Sequence, residues 1–290
     1  MGLEGLLESR TEALTGILNG IDETVWDPAS DPNLAQRFTA KSLSRRKANK
    51  RRLQQRFGLP AEEAMLLGVI SRLSWEKGLD LLLEALPTVL ETGAQLVVLG
   101  SGDADLQRGF REAAGSHPDR VGVIFGYDEG LAHLVQGGSD ALIVPSRFEP
   151  CGLTQLCAMR YGSIPIVSRV GGLNDTVIDA NPMALAAGVA TGFQFARLSR
   201  EGLAGAVRLA STVWQDQRAW RRMQGNGMAG DLGWAIRAET YMQVFRSAAF
   251  EQGNRAAGGH RGGSRGGGQR RPVAETPRTW ARRSSPAVLS

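Results

Sequence analysis

Short apolar runs alternate with amphipathic helical patterns from residue 65 to residue 195, and this alternation constrains the fold more than any other feature. The apolar runs predict strands at 65–70, 95–99, 121–125, 141–144 and 164–167, and a short sixth strand near Phe193. The intervening and following stretches predict helices at 78–91, 104–114, 129–136, 154–161, 173–179, 201–214, 216–228 and 235–250. Because strands alternate with helices, the sequence predicts an α/β fold with a doubly wound, Rossmann-like parallel sheet.

The segments on either side of the alternating region differ from it in composition. Residues 1–60 combine turn-forming Asn, Gly and Pro with a basic, helix-prone run at 41–56, so we expect an inter-domain connector and the start of the domain. We expect residues 61–250 to form one ligand-binding domain. Residues 251–290 are rich in Arg and Gly and have few apolar side chains to bury, so we expect a disordered tail.

The positive charge of the chain is concentrated in this tail. The whole chain has a net charge of +5, whereas residues 251–290 contain eight Arg and two Glu, which leaves −1 for residues 1–250. Arg/Gly segments can bind RNA through counterion release and stacking, and that alternative stays open. No aromatic residue lies among the glycines before Trp280, so we favour a solvated tail and expect no nucleic-acid partner.

The sequence favours neither a membrane-spanning protein nor a protein stabilised by disulfide bonds. No apolar run approaches the roughly 20 residues that span a bilayer, and Glu4 and Glu8 stand where a secretory signal would be basic and then apolar. We therefore expect a cytoplasmic protein with no membrane partner. Cys151 and Cys157 form neither a C-x-x-C pair nor a metal quartet, so we expect buried or half-buried free thiols.

Two short motifs resemble cofactor or metal sites but fail on inspection. Gly100-Ser101-Gly102 follows a predicted strand, yet Asp105 occupies the third glycine position of a dinucleotide-binding fingerprint. Asp103 and Asp105 have the D-x-D spacing of metal-dependent transferases, but they open a predicted helix, where Asp is favoured as an N-cap. We expect no cofactor and no metal.

A loop after the fourth predicted strand carries the strongest chemical signal. Glu149 lies at the carboxyl end of that strand, where parallel α/β sheets bind ligands. The N–H groups of Gly152, Leu153 and Thr154 open the next helix, where they can bind an anion or a sugar hydroxyl. Arg72 and Lys77 follow the first strand, so both cations can converge on one diphosphate.

The loop belongs to a series of spaced motifs. These motifs are residues 146–155 (SRFEPCGLTQ), 16–22 (GILNGID), Trp26-Asp27-Pro28, Ser71-Arg72-Leu73 with Lys77-Gly78, Gly126-Tyr127, Gly171-Gly172-Leu173 with Asp175-Thr176-Val177, Thr191-Gly192-Phe193, and Trp234 with Tyr241. The series resembles bacterial glycogen synthases and plant starch synthases over roughly residues 2–250. These are retaining glycosyltransferases of the two-domain GT-B fold, and the chain resembles their C-terminal, donor-binding half.

The resemblance implies roles for particular residues. Arg72 and Lys77 would hold the donor phosphates and Glu149 would contact the donor glucose, so these three are the candidate catalytic residues. The implied substrate-binding residues are Gly126, Tyr127, Cys151, Gly152, Leu153, Thr154, Gly171 and Gly172, with Tyr127 stacked on the adenine of ADP-glucose. Many related transferases have a second Glu where this chain has Cys157, so no carboxylate at that position can bind ribose.

The resemblance also implies a reaction and a missing part. Family members transfer glucose from ADP-glucose to the non-reducing end of an α-1,4-glucan with retention, in a cleft between two domains. This chain starts at the connector, so we expect a fragment that lacks the N-terminal acceptor domain. Three hypotheses remain: the donor half of an enzyme, a non-catalytic nucleotide-sugar binding module, and an RNA-binding protein that acts through its Arg/Gly tail.

Overall fold

A computed structural model describes residues 2–258, with side chains from residue 2 to residue 250. Six parallel strands form one sheet: β1 Leu66–Ile70, β2 Gln95–Gly100, β3 Val121–Phe125, β4 Ala141–Val144, β5 Ile164–Ser168 and β6 Phe193–Phe195. Their order in the sheet is β3-β2-β1-β4-β5-β6. The predicted doubly wound α/β sheet is confirmed, and each of the first five strands lies within one residue of its predicted bounds.

The helices are α1 Glu4–Glu8, α2 Arg46–Arg56, α3 Leu79–Glu91, α4 Ala104–Ser116, α5 Glu129–Gly138, α6 Thr154–Arg160, α7 Gly171–Thr176, α8 Pro182–Ala187, α9 Arg200–Gln215, α10 Gln217–Ala229 and α11 Trp234–Gly258. Short 3-10 turns occupy Thr11–Ala13, Ala40–Arg45 and Trp75–Lys77. The helix predicted at 173–179 was misplaced, because α7 begins at Gly171 and Val177 already has extended backbone. Helix α8 was missed, although Asn181 caps it and Pro182 opens it.

Side chains alternate between two apolar clusters on the two faces of the sheet. Leu67 and Val69 of β1 belong to the cluster that α3, α9 and α10 cover. Leu66 belongs to the opposite cluster, which includes Leu53 of α2 and Val135 of α5. Because both faces are covered, the strands read as continuous apolar runs rather than as alternating ones. Helix α2, which lies within the first sixty residues, therefore packs on the sheet.

A buried polar cluster attaches the N-terminal segment to this domain. The Asp31 carboxylate lies 2.8 Å from Nδ1 of His133 on α5 and accepts a 2.6 Å hydrogen bond from the Tyr161 hydroxyl. The Trp26 ring stacks on His133 with their centroids 3.9 Å apart. Burial opposes ionisation of Asp31, but hydrogen bonds from His133 and Tyr161 outweigh it and lower its pKa. The cluster therefore holds a charged aspartate inside the protein.

The chain divides into two compact units, residues 1–244 with the sheet and residues 245–290. Of the second unit, the structure describes the end of α11 up to Gly258. The rest of the predicted Arg/Gly tail, from residue 259 to residue 290, lies outside the described residues. No helix in the described part of the chain combines the length and the apolar character needed to cross a bilayer.

Candidate functional site

The chain reverses its direction of winding between β1 and β4. From β1 it proceeds outward to β2 and β3, and it then crosses to β4 on the other side of β1. The loops at the carboxyl ends of β1 and β4 therefore leave in opposite directions, which opens a crevice in folds of this kind. Lys77 ends the 3-10 turn after β1, and Glu149 lies in the loop after β4. The winding thus places both predicted residues at the carboxyl edge of the sheet, where folds of this kind bind ligands.

Lys77 and Glu149 form an ion pair in this crevice. The Lys77 Nζ lies 2.6 Å from a Glu149 carboxylate oxygen, and the two side chains are 23% and 14% exposed. The Ser146 hydroxyl donates a 3.2 Å hydrogen bond to the same oxygen. Gly78 follows Lys77 with a φ of 66°, where a Cβ atom would overlap the Pro145 carbonyl oxygen. Close backbone packing therefore brings the two loops, and with them the two charges, together.

Arg72 does not share this position. Its side chain is 73% exposed, and its guanidinium lies 3.7 Å from the Glu76 carboxylate. The two cations that were expected to converge on one diphosphate therefore point to different partners, Lys77 to Glu149 and Arg72 to Glu76. An exposed ion pair of this kind contributes little stability, so Arg72 is available to a ligand at small cost. Its phosphate-binding role stays a prediction.

The predicted glycine turn lies directly against the Glu149 loop. The Gly172 N–H donates a 3.0 Å hydrogen bond to the Glu149 carbonyl oxygen. A Cβ atom at Gly171, whose φ is 41°, would overlap that same carbonyl, and a Cβ atom at Gly172 would overlap the Cys151 carbonyl. The structure therefore brings these two glycines together with Glu149 and Cys151, because only residues without side chains allow the loops after β4 and β5 to approach so closely.

Gln155 was not singled out in the sequence, yet it fixes the shape of the same loop. It is fully buried, and its Nε2 donates to the carbonyl oxygens of Cys151 and Gly152 at 3.0 and 3.1 Å. The same nitrogen lies 3.1 Å from the Thr176 hydroxyl at the end of α7. The sequence signal was its place in the 146–155 motif, one residue after the predicted Thr154. Gln155 therefore connects the loop to α6 and α7.

The remaining predicted residues of that loop mark its rim. Gly152 has a φ of 73°, Leu153 is 48% exposed, and Thr154 is the first residue of α6. No backbone acceptor is recorded for their three N–H groups within residues 2–258. These groups therefore have no recorded backbone partner in the described part of the chain, and their ligand-binding role stays a prediction.

Tyr127 lies farther out, at the carboxyl end of β3. Its side chain is 86% exposed, and the preceding Gly126 has a φ of 127°. The next residue, Asp128, caps α5 by accepting a 2.8 Å hydrogen bond from the Leu131 N–H. Since neighbouring strands are about 4.8 Å apart, β3 lies roughly 10 Å from β1. Tyr127 therefore lies at the same edge of the sheet as Lys77 but two strands away, and its role in stacking on a base stays a prediction.

Arg147 was also missed, although it connects the two loops of the crevice. Its guanidinium makes two 2.7 Å hydrogen bonds to the Asp80 carboxylate on α3. It also donates to the Trp75 carbonyl oxygen at 2.6 Å and lies 4.5 Å from the centre of the Trp75 ring. The Arg147 N–H donates to the Glu76 carbonyl oxygen at 2.8 Å. The turn that carries Lys77 is thus clamped from both sides onto the loop that carries Glu149.

The contacts of Arg147 with Asp80, Trp75 and Glu76, called the Arg147 clamp below, are stabilised by charge. Hydrogen bonds to Asp80 raise the pKa of Arg147. Burial opposes ionisation of Asp80, but the hydrogen bonds and charge of Arg147 outweigh it and lower the pKa of that carboxyl. A bidentate arginine–carboxylate pair has a fixed geometry as well as a favourable energy. The clamp therefore fixes the position of Lys77 relative to Glu149.

Both cysteines are free thiols, as predicted, with Cys151 half-buried and Cys157 buried. Burial raises the pKa of the Cys157 thiol to about 12, so this residue is an uncharged packing group. The Asn19 N–H lies 3.0 Å from the Cys151 sulfur, which brings the 16–22 motif to the crevice. The position of the family's second Glu is thus filled by an apolar side chain.

The predicted role of Asp103 as a helix cap is confirmed. Its carboxylate accepts a 2.9 Å hydrogen bond from the Asp105 N–H at the start of α4. Within the part of the chain that the structure describes, no group of three or more His, Cys, Asp or Glu is arranged to hold a metal ion. The D-x-D spacing is therefore explained by helix capping.

Comparison with known proteins relates this geometry to a family. A family model described as glycosyl transferases group 1 matches residues 50–223. Over 248 residues the chain is 58% identical to a glycogen synthase of Rhodopseudomonas palustris (strain BisA53), which covers 85% of this chain and 51% of that protein. The chain spans about half the length of the curated relatives it matches.

Two solved structures share the fold. The catalytic domain of Starch Synthase IV from Arabidopsis thaliana, bound to ADP and acarbose, matches with a TM-score of 0.79 at 38% identity over 85% of this chain and 51% of that one. The C-terminal domain of a group 1 glycosyl transferase, LpcC from Francisella tularensis, matches with a TM-score of 0.52 at 18% identity over 72% of this chain and 95% of that one. The second likeness concerns the fold alone.

Proposed function

Since the chain belongs to the group 1 glycosyl transferases, we propose that it is the donor-binding half of a glycogen synthase. Its sheet is the C-terminal domain of the GT-B fold, as predicted. In this proposal the crevice between β1 and β4 binds ADP-glucose, whose glucosyl group is transferred to an α-1,4-glucan with retention. The observation that carries the proposal is the Lys77–Glu149 pair at the reversal of winding.

The pair combines the two functions that glucosyl transfer requires of a protein. A cation must neutralise the leaving diphosphate, and an acceptor oxygen must hold the sugar hydroxyls. When a donor binds, Lys77 turns from the Glu149 carboxylate to the phosphates, where Arg72 joins it from the surface. Glu149 is then free to accept hydrogen bonds from the glucose. The N–H groups of Gly152, Leu153 and Thr154, with the Gly171-Gly172 turn, complete the cradle.

The adenine end of the donor has its own candidate contact. Tyr127 is almost fully exposed at the rim, and an exposed aromatic ring beside a phosphate site suits a flat base. The Arabidopsis relative was solved with ADP and acarbose, which supports a nucleoside diphosphate and an oligosaccharide as the ligand classes. We therefore propose ADP-glucose and an α-glucan as the substrates. We also propose a cytoplasmic location.

The acceptor half of the reaction is proposed to come from a separate domain. The matched relatives are about twice as long as the matched segment. The described part of the chain has exposed apolar side chains at Val25, Trp234, Ile236 and Met242, each between 44% and 52% exposed. Three of these side chains, Trp234, Ile236 and Met242, belong to α11, where contact with another protein domain would remove them from water. The alternative is a non-catalytic binding module, and it rests on the same observation that the chain matches about half the length of its relatives.

A glucan elongation assay separates these two functions. Residues 1–290 alone should bind ADP-glucose yet fail to extend glycogen, because positioning the acceptor in a water-excluded cleft supplies roughly 7–11 kcal/mol of such barriers. Adding the N-terminal half of a related synthase should restore activity that Glu149→Ala abolishes. Elongation by residues 1–290 alone, lost on Glu149→Ala, would contradict the proposed division of labour. Donor binding without restored activity would favour the binding module.

A further inference from the structure

A chain of hydrogen bonds joins Gln155 to Thr176 on the buried side of the loop after β4. The Gln155 Nε2 donates to the carbonyl oxygens of Cys151 and Gly152 at 3.0 and 3.1 Å. It also lies 3.1 Å from the Thr176 hydroxyl, which donates in turn to the Gly172 carbonyl oxygen at 2.6 Å. The Thr176 hydroxyl is therefore the acceptor for Gln155, and the two side chains connect the loop after β4 to the glycine turn after β5.

The Gln155 amide is held in this orientation at a cost. Gln155 is fully buried, and its Oε1 has no hydrogen-bond partner within the described residues. A Cβ atom at Gly152 would overlap that oxygen. An unsatisfied buried oxygen is unfavourable, and an apolar side chain would not have one. The contacts made by the Gln155 Nε2 therefore outweigh the cost of the Oε1.

These contacts set the direction of two backbone N–H groups. The Cys151 carbonyl shares a peptide unit with the Gly152 N–H, and the Gly152 carbonyl shares the next unit with the Leu153 N–H. Both peptide units are trans, so each N–H points in the opposite direction from its carbonyl. Because both carbonyl oxygens point to the buried Gln155 nitrogen, both N–H groups point away from it.

The two N–H groups are open to a ligand. Neither has an acceptor recorded among residues 2–258. Leu153 is 48% exposed and Gly152 is half-buried, so this part of the loop is accessible. The positive φ of Gly152 is followed by right-handed backbone at Leu153, and alternation of this kind turns successive N–H groups toward one anion.

We propose that Gln155 and Thr176 are positioning residues of the donor site. Through their hydrogen bonds to carbonyl oxygens, they aim the N–H groups of Gly152 and Leu153 at the diphosphate of the donor. N–H groups that are already fixed lose little conformational freedom on binding, so their contribution to affinity depends on this orientation. The inference rests on the proposed function, because the diphosphate is that of the nucleotide sugar.

Thr176→Val tests this role, because valine keeps the shape of threonine and removes the hydroxyl. Calorimetric titration of residues 1–290 with ADP and with pyrophosphate should show that both affinities fall by a similar factor, about fivefold, since the N–H groups contact phosphate oxygens. Thr176→Ser keeps the hydroxyl and should bind both ligands like the unmodified chain. Gln155→Met removes every contact of the amide and should weaken binding of both ligands about tenfold.

Thr92→Val is the matched control. Thr92 is also half-buried, and its hydroxyl also donates to a carbonyl oxygen one helical turn earlier, that of Val89 at 2.7 Å. Since Thr92 lies between α3 and the start of β2, at the amino-terminal edge of the sheet, Thr92→Val should bind ADP and pyrophosphate like the unmodified chain. Thermal melting of each variant measures any general loss of stability.

An amide-resolved NMR titration with pyrophosphate distinguishes positioning from loss of structure. The N–H resonances of Gly152 and Leu153 should shift in the unmodified chain. They should shift much less in Thr176→Val when the two samples are compared at the same pyrophosphate saturation.

Three results would overturn the inference without affecting the proposed function. These are unchanged affinity for both ligands in Thr176→Val and Gln155→Met, equal losses in Thr92→Val and Thr176→Val, and a loss for ADP with none for pyrophosphate. If the unmodified chain binds neither ADP nor pyrophosphate, the proposed function itself fails, and this inference fails with it.

Discussion

Two lysine–carboxylate pairs with the same 2.6 Å separation lie at opposite ends of the central strands, Lys50 with Asp140 and Lys77 with Glu149. At the amino end, Asp140 also accepts a 2.8 Å hydrogen bond from the Leu66 N–H, and Lys50 also donates to the Ala64 carbonyl oxygen. At the carboxyl end, the Glu149 carboxylate accepts hydrogen bonds from the Lys77 ammonium and the Ser146 hydroxyl, and no backbone N–H donates to that carboxylate within the described residues. The two ion pairs therefore have the same separation but differ in how many backbone groups hold them.

The difference teaches what separates a structural ion pair from a functional one. Asp140 and Lys50 are both fixed by backbone groups next to regular strands, so their pairing is part of the fold. Lys77 and Glu149 lie on loops whose approach depends on glycines with positive φ and on the Arg147 clamp. A ligand can replace Lys77 as the partner of Glu149 without breaking a strand. We expect the first pair to control stability and the second to control binding.

The largest expected effect is a loss of stability when the Lys50–Asp140 pair, at the amino end of the strands, is broken. Asp140→Asn should lower the free energy of unfolding by about 3 kcal/mol, because it leaves the mostly buried Lys50 ammonium without its counter-charge. Urea denaturation measures the change, and calorimetry should show unchanged ADP affinity. A loss below about 0.5 kcal/mol would mean that the two pairs do not differ in the way proposed.

The next effect is on binding at the carboxyl end. Lys77→Gln should weaken ADP binding by about 1.5–3 kcal/mol, the range for hydrogen bonds to charged groups, while changing the free energy of unfolding less than Asp140→Asn does. Lys41→Gln, which changes an exposed lysine that belongs to neither pair, is the control. Unchanged ADP affinity in Lys77→Gln would refute its phosphate-binding role.

A substitution at Arg147 tests whether the position of Lys77 depends on the contacts between the two loops. Arg147→Lys keeps the charge but loses the bidentate contact with Asp80, so the turn carrying Lys77 should become less fixed. We expect ADP affinity to fall about fivefold, with the fold intact by circular dichroism. If Arg147→Lys binds ADP as tightly as the unmodified chain, then the clamp does not position Lys77.

The smallest effect concerns the base. Tyr127→Ala should weaken ADP binding by about 0.5–1.5 kcal/mol and leave pyrophosphate binding unchanged, because stacking belongs to the adenine ring. Since Tyr127 is 86% exposed, its removal should not affect folding. Parallel titrations with ADP and pyrophosphate measure both quantities, and equal losses would exclude stacking.

The strands and the Glu149 loop could be predicted from the sequence, because apolar runs and turn-forming residues are local features of the chain. The Lys77–Glu149 contact could only be expected in outline, since it depends on β4 lying beside β1. Arg147 and Gln155 were missed for a physical reason: their partners, Asp80 and Thr176, lie on other helices, and nothing in the local pattern marks a side chain that holds separate elements together. The solvent-facing position of Arg72 was likewise not predictable from spacing.

The central claim is that the crevice between β1 and β4 recognises the sugar through Glu149 and the phosphates through Lys77. Calorimetric titration of ADP-glucose and of ADP into Glu149→Gln tests it most directly. We predict that affinity for ADP-glucose falls about tenfold, because the charged acceptor for the glucose hydroxyls is lost, while affinity for ADP changes less than twofold. Equal losses for both ligands, or no loss for either, would contradict the account.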